Sequence, residues 1–308
     1  MSGQPGAGDP IAPGSEAGLA AIPEQTPLFW ALNKDRYLRQ SWIRDIQAAT
    51  NRKLIIYVAN FGHPQSAISH DDVPPFPDLL ADIDPETDLD LLLHSPGGDI
   101  DAAERLVYMC RKRSRSFRVL VPSSAKSAAT LIAIAADSIV MGYVSELGPI
   151  DPQVYVNGPG GEPMWRPAQS FLDGLQTIKE ETTSTGTLSP VYYPLLDKLD
   201  PALLDFCQKA IDRSKSFARK WLERGMCAGD PTTAQSIAER LCDVEKYLSH
   251  SAVIDAEEAT EMGLRVEHLG ADDDLWQRVW RLYSMYEVAT RGVGNAKIYE
   301  SERASIIL

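Results

Sequence analysis

Apolar runs in the first half of the chain alternate with stretches of helical spacing, and this alternation predicts four strands with helices between them. The second apolar run is almost continuous, as strands covered on both faces tend to be. The predicted strands span 53–60, 89–94, 117–121 and 138–143. The predicted helices of this half span 26–51, 77–83, 99–113 and 125–136. Strands and helices in this order are typical of a parallel sheet with right-handed crossovers, so an α/β fold built from βαβ units is expected.

The second half of the chain has a different pattern, because helical spacing dominates it. A Gly- and Pro-rich stretch over 155–163 predicts a hairpin or loop, since it matches neither a dinucleotide-binding motif nor a Walker motif. Five helices are predicted after it, at 168–183, 191–224, 232–242, 256–262 and 274–290. We therefore expect a disordered tail over 1–25, one domain over 26–270, and a C-terminal helix and tail over 271–308.

Charge and apolar content exclude some classes of protein. With a net charge of −13 the chain repels phosphate groups, so no nucleic-acid partner is expected. No apolar run reaches the length of a membrane-spanning helix, so no membrane span is predicted. The first 25 residues carry no Lys or Arg and lack the pattern of a signal peptide, which favours a cytoplasmic location.

The cysteines are scattered, without a CxxC pair or a histidine at ligand spacing. We expect them to be small buried apolar side chains rather than disulfides or metal ligands. They are Cys110, Cys207, Cys227 and Cys242. No metal and no cofactor is predicted.

Two short segments that follow predicted strands carry the candidate chemistry. Gly97 and Gly98 come after the second strand, and glycines let backbone N–H groups approach a substrate closely. Ser127 comes after the third strand, in the predicted first turn of a helix of small residues, where free N–H groups favour a developing anion. Ligands gather at the carboxyl ends of parallel strands. Together these residues supply a nucleophile and oxyanion donors, as acyl transfer requires.

Four motifs occur in order along the chain. They are Leu-Leu-His-Ser-Pro-Gly-Gly-Asp-Ile-Asp-Ala-Ala at 92–103, Val-Pro-Ser-Ser-Ala-Lys-Ser-Ala-Ala-Thr-Leu-Ile-Ala at 121–133, Glu-Leu-Gly-Pro-Ile-Asp-Pro-Gln at 146–153 and Ile-Asp-Ala-Glu-Glu-Ala-Thr-Glu-Met-Gly-Leu at 254–264. In this order they resemble the serine dehydrogenase proteinase family, a branch of the Clp protease and signal peptide peptidase A group. The resemblance implies a Clp/crotonase-like fold and assembly into a homo-oligomer. It also implies that Ser127 is the nucleophile and that Gly98 and Ala128 supply the oxyanion-hole N–H groups.

A serine nucleophile needs a general base, and the sequence leaves its identity open. No histidine lies between His94 and His250, so the Ser-His-Asp triad of Clp proteases is not expected. Signal peptide peptidase A instead uses a Ser-Lys dyad, in which burial lowers the pKa of the lysine towards ~7–8. Lys179, on a helix that could fold over the site, is the first candidate. The alternatives are Lys198, Lys126 and His250.

The residues and the resemblance together predict a serine peptidase that acts on a peptide or protein through an acyl-enzyme on Ser127. One alternative is a crotonase-like enzyme on a coenzyme A thioester, which would use the same oxyanion hole without a serine nucleophile. The other is a non-catalytic oligomeric scaffold, which the missing histidine favours.

Overall fold

The computed structural model describes residues 26–157, 161–197, 199–247, 249 and 252–308. The chain divides into two compact units, residues 1–38 and residues 39–308. Within the described part of the first unit, a short helix begins at Pro27, and the Thr26 hydroxyl caps it by accepting the Phe29 N–H at 3.3 Å. The second unit contains the strands, the helix residues from 39 to 50 and all later helices.

The helices and strands were assigned over the described residues. The helices are α1 Pro27–Leu32, α2 Lys34–Thr50, α3 Pro75–Leu80, α4 Ile100–Lys112, α5 Ala128–Ile134, α6 Ala168–Thr185, α7 Tyr193–Leu196, α8 Pro201–Arg224, α9 Pro231–Leu241, α10 Val244–Tyr247, α11 Ala256–Met262 and α12 Asp274–Val293. The strands are β1 Lys53–Ala59, β2 Asp88–His94, β3 Ser116–Val121, β4 Ser124–Ala125, β5 Ser138–Gly142, β6 Glu146–Leu147, β7 Gln153–Asn157, β8 Pro163–Pro167, β9 Val266–Leu269, β10 Lys297–Glu300 and β11 Ser305–Ile307.

Seven of these strands form one sheet in the order β11-β10-β1-β2-β3-β5-β9. Five strands of this sheet run parallel to one another, namely β1, β2, β3, β5 and β9. β10 and β11 are antiparallel to their neighbours. Because side chains alternate between the faces of a strand, Leu91 packs into one apolar cluster and Leu92 into another. The first cluster includes residues of α4, α5 and α8, and the second includes residues of α2 and α12. The parallel sheet covered on both faces confirms the expected α/β architecture.

The helical second half is also confirmed, although one helix is divided. The helix predicted over 191–224 stops at the end of α7, and α8 starts afresh at Pro201 with Asp200 as its N-cap. A proline lacks an N–H and suits the first turn of a helix, so it starts a new helix rather than continuing the old one. The expected hairpin is formed by β7 and β8. None of the helices in the described ranges is long and apolar enough to cross a membrane.

The end of the chain contributes more to the sheet than its sequence suggested. Residues 271–308 were expected to form a helix and a tail, and α12 is present, but residues 297–300 and 305–307 add β10 and β11 to the main sheet. β9, which no pattern indicated, pairs in parallel with β5. The sheet is therefore wider than the four predicted strands.

Candidate active site

The chain segments beyond β2 and β3 are joined by backbone hydrogen bonds that extend the pairing past the regular strands. The Ser95 N–H donates to the Ser124 carbonyl at 3.1 Å, and the Lys126 N–H donates to the Ser95 carbonyl at 3.0 Å. On its other side, β4 pairs in parallel with β6. Gly97 and Ser127 therefore follow two segments that are bonded side by side, at the carboxyl end of the parallel strands, where ligands bind in such sheets.

Gly97 lies in direct contact with the Ser127 segment. A Cβ atom at Gly97 would be 2.8 Å from the Ser127 Cβ, 2.9 Å from the Ala128 nitrogen and 2.5 Å from the Lys126 carbonyl oxygen. Its φ of +92° is also one that glycine adopts without cost. No other residue type could bring the two segments so close.

Gly98 pairs with Ile68, and this pairing directs the Gly98 N–H. The Ile68 N–H donates to the Gly97 carbonyl at 2.7 Å, and the Asp99 N–H donates to the Ile68 carbonyl at 2.8 Å. In a planar trans peptide the C=O and the N–H point in opposite directions, so the Gly98 N–H points away from Ile68. Gly98 is exposed, and within the described residues its N–H donates to no protein acceptor.

Ser127 has a backbone conformation that residues with a Cβ rarely adopt. Its φ is 51° and its ψ is −118°, outside the broad allowed regions. Strain of this kind persists only where the surroundings hold it, and it is concentrated at functional sites. Ser127 was expected in the first turn of the helix, but it occupies the N-cap position because β4 delays the start of α5 to Ala128. The serine is half-buried at this turn.

Ala128 supplies a second unused N–H next to the serine. As the first residue of α5, it has no intrahelical acceptor for its N–H. In the part of the chain that the structure describes, this N–H donates to no other protein group. Two free N–H groups beside a serine hydroxyl are an arrangement that can bind the oxyanion of a tetrahedral intermediate.

The side chains of Thr130 and Lys126 hold the Ser127 turn through polar contacts. The Thr130 hydroxyl donates to the carbonyls of Ala125 at 2.8 Å and Gly148 at 2.9 Å. The Lys126 ammonium donates to the Ala252 carbonyl at 3.1 Å and pairs with Glu146 at 3.0 Å. The Lys126 ammonium is therefore held by Ala252 and Glu146, which makes Lys126 a poor candidate for the general base.

The structure does not bring the other base candidates to Ser127. Lys179 is exposed on α6, and within the described residues it makes no hydrogen bond or ion pair with Ser127 or its neighbours. Lys198 and His250 lie outside the described residues. The described residues also contain no group of three or more His, Cys, Asp or Glu side chains that could hold a metal ion.

His94, which the sequence analysis did not select, tethers the two segments of the site. Its Nδ1 accepts the Ser124 N–H at 3.2 Å, and its Nε2 lies 3.3 Å from the Tyr283 hydroxyl. Its ring stacks on Phe61 at 4.5 Å between centroids. Burial lowers the pKa of His94 to about 4, so the ring is neutral and can accept this bond at neutral pH. The signal in the sequence was a histidine at the end of an apolar strand, directly before Ser95.

The parallel sheet, its crossovers and the serine at the strand ends fit the Clp/crotonase-like class that the motifs imply. Residues 80–298 match the family of ClpP-like SDH-type serine proteinases. Because the match spans more than half of the chain, the protein belongs to this family.

Two curated relatives are uncharacterized proteins of Methanocaldococcus jannaschii. MJ0137 is 28% identical over 211 residues, which are 68% of this chain and 62% of that protein. MJ1495 is 28% identical over 198 residues, which are 64% of this chain and 56% of that protein. The chain thus spans about three fifths of the length of the curated relatives it matches.

Solved structures with a similar fold include proteases. A mutant of the 1510-N membrane-bound stomatin-specific protease is 17% identical with a TM-score of 0.41, and 69% of this chain and 79% of that chain are covered. A ClpP1 mutant from Listeria monocytogenes is 13% identical with a TM-score of 0.38, and 74% of this chain and 98% of that chain are covered. The family assignment rests on the match over residues 80–298.

Proposed function

We propose that the protein is a serine peptidase that hydrolyses peptide bonds through an acyl-enzyme on Ser127. The observation that carries the proposal is the strained backbone of Ser127 beside two N–H groups, those of Gly98 and Ala128, that have no acceptor within the described residues. A fold tolerates such strain where it serves a purpose, and the buried Ala128 N–H without an acceptor calls for the same kind of explanation.

The chemistry follows from these groups. The Ser127 oxygen attacks the peptide carbonyl carbon while a base takes its proton, and the carbonyl oxygen becomes an oxyanion that accepts the Gly98 and Ala128 N–H groups. Collapse of this intermediate breaks the C–N bond, and the amine leaves with a proton from the base. Water then attacks the ester through the same steps and frees the serine. In other enzymes, loss of one oxyanion donor costs about 100- to 1,000-fold in rate.

The general base in this proposal is a lysine, with Lys179 as the first candidate. An amine acts as a base only when neutral, and burial is what lowers the pKa of a lysine to the required range. Lys179 is exposed in the single chain, so it would meet this condition only when substrate or a second subunit covers it. Lys198 and His250 are tested beside it.

A peptide or protein substrate, assembly into a homo-oligomer and a cytoplasmic location are parts of the same proposal. Family membership supports the first two. Light scattering during size-exclusion chromatography tests the assembly, and a mass equal to one chain would contradict it.

Intact-mass detection of a fluorophosphonate adduct tests the mechanism. Wild-type protein should gain one adduct that Ser127→Ala lacks. Lys179→Ala, Lys198→Ala and His250→Ala identify the base by loss of the adduct. Lys209→Ala, which removes an exposed lysine paired with Asp205 on α8, is the matched control and should label normally. A folded wild-type protein without an adduct would contradict the proposal.

A non-catalytic scaffold is the second candidate. It is favoured by the absence of a base in contact with Ser127 within the described residues. It predicts no adduct and an assembly that Ser127→Ala leaves intact. Turnover of a coenzyme A thioester that Ser127→Ala does not affect would instead identify a crotonase-like enzyme.

A further inference from the structure

A buried ionic cluster lies below the Gly97–Gly98 loop. Asp72 and Lys297 are almost fully buried and pair at 2.5 Å. The Tyr57 hydroxyl donates to the same carboxylate at 2.7 Å, and the Tyr299 hydroxyl also donates to it. Burial and the Asp72 charge raise the pKa of Tyr57 well above its usual value, so this hydroxyl keeps its proton and acts as a donor. These four residues, Asp72, Lys297, Tyr57 and Tyr299, are called the hub.

The hub holds residues 67–69 against the sheet. Lys297 donates to the Ala67 carbonyl at 2.7 Å, and Asp72 accepts the Ser69 N–H at 2.9 Å. Ile68 stands between these two anchors, and its N–H bonds the Gly97 carbonyl. The hub thereby fixes the position of the Ile68 N–H, which orients the Gly97–Gly98 peptide.

A second contact holds the preceding peptide. The Ser95 Oγ accepts the Gly97 N–H at 3.2 Å. Ser95 thus holds the Gly97 N–H, and Ile68, which the hub anchors, holds the Gly97 carbonyl. The N–H that remains free in this loop is that of Gly98.

We infer that the hub is a positioning device for catalysis: by holding Ile68 it fixes the Gly97–Gly98 peptide, so that the Gly98 N–H stays aimed at the oxyanion. The inference rests on the proposed function. Two consecutive glycines can rotate their shared peptide more easily than any other residue pair. A flip of that peptide would turn the carbonyl, rather than the N–H, towards the substrate. The contacts to Ile68 and Ser95 oppose this flip.

The test measures the rate of fluorophosphonate adduct formation on Ser127 in full-length variants, corrected for the folded fraction. Tyr57→Phe, Ser95→Ala and Lys297→Met should each slow the reaction about tenfold or more, because a misdirected donor loses part of the about 100- to 1,000-fold effect of an oxyanion donor. Tyr57→Phe combined with Lys297→Met should lose little beyond either single change, because both side chains act through the Asp72 carboxylate. Losses that simply add would overturn the inference.

Two matched controls separate this effect from a general loss of stability. Tyr286→Phe and Arg39→Met disrupt a comparable buried cluster, in which Arg39 and Tyr286 bond Glu300. Within the described residues that cluster makes no hydrogen bond to the Gly97–Gly98 loop, so both controls should label at close to the wild-type rate. Equal losses in the controls and the hub variants would overturn the inference.

Crystal structures of Tyr57→Phe and Ser95→Ala read the peptide orientation directly, even if the wild type forms no adduct. We expect a displaced or flipped Gly97–Gly98 peptide in both variants. An unchanged peptide would overturn the inference whatever the activity, whereas an unlabelled wild type with a displaced peptide in the variants would contradict only the proposed function.

Discussion

Gly97 is packed so tightly against the Ser127 turn that the addition of one methyl group should disable the site. The added Cβ would be 2.5 Å from the Lys126 carbonyl oxygen and 2.9 Å from the Ala128 nitrogen. Both are backbone atoms, which cannot rotate out of the way as a flexible side chain could. Gly97→Ala therefore forces one of the two loops to move.

The size of the movement and its cost follow from these distances. Non-bonded heavy atoms rest about 3.5 Å apart, so relief of the closest overlap needs a shift of about 1 Å. In enzymes a misplacement of that size lowers the rate about 100-fold. The backbone adds a separate cost of about 1–2 kcal/mol, because alanine disfavours a positive φ.

The assay is the rate of fluorophosphonate adduct formation, measured beside urea unfolding. Gly97→Ala should react about 100-fold more slowly than the wild type. Gly229→Ala is the matched control, because Gly229 has a φ of +87° and no atom within 4 Å of its Cβ position. Gly229→Ala should lose only the backbone part of the stability and should react normally. A Gly97→Ala protein that reacts at the wild-type rate would refute the close packing of the two loops as the cause.

Three further predictions concern stability and reactivity. Ser127→Gly should unfold with a free energy about 1 kcal/mol higher than Ser127→Ala, because glycine tolerates the positive φ; equal urea midpoints would contradict this. Burial lowers the pKa of His94 from 6.5 to about 4, so its contribution to stability is complete above pH 6.5 and falls by about 3 kcal/mol as the pH drops to 4, because the unfolded chain binds the proton first. Urea unfolding across this range should show the loss in the wild type and not in His94→Gln. The native thiols should resist iodoacetamide, because burial raises their pKa, that of Cys242 to about 12; rapid alkylation, followed by intact mass, would speak against this.

The sequence was sufficient for the features that depend on local patterns. The continuous apolar run of β2 predicted a strand covered on both faces, and its alternating side chains do enter two apolar clusters. The glycines after β2 and the small residues of α5 predicted two loops at one edge of the sheet. The structure brings Gly97, Gly98, Ser127 and Ala128 together there. Their catalytic roles stay a prediction.

Other features depend on partners far apart in the chain, which no local pattern reports. β10 is four residues long and carries Lys297 and Glu300 at its ends, and charged side chains are rarely buried unless they are paired. Both charges are buried because each meets an opposite charge, Asp72 for the lysine and Arg39 for the glutamate. The positive φ of Ser127 could not be predicted either, because residues with a Cβ rarely adopt it and no sequence pattern marks the position. Within the described residues, no candidate for the general base makes a hydrogen bond with the Ser127 side chain.

The hub also has a consequence for how the protein is made. β10 supplies Lys297, yet it pairs with β1, which begins at residue 53. Ribosomes release the chain from its N-terminus at about 5–20 residues per second, so Ser127 and both glycines emerge well before Lys297. If the hub positions the Gly98 N–H, this N–H is not held in place until β10 has been synthesised and has paired with β1. Arrested chains that end before residue 297 should therefore carry the Ser127 hydroxyl but form the fluorophosphonate adduct about tenfold or more slowly than the full chain.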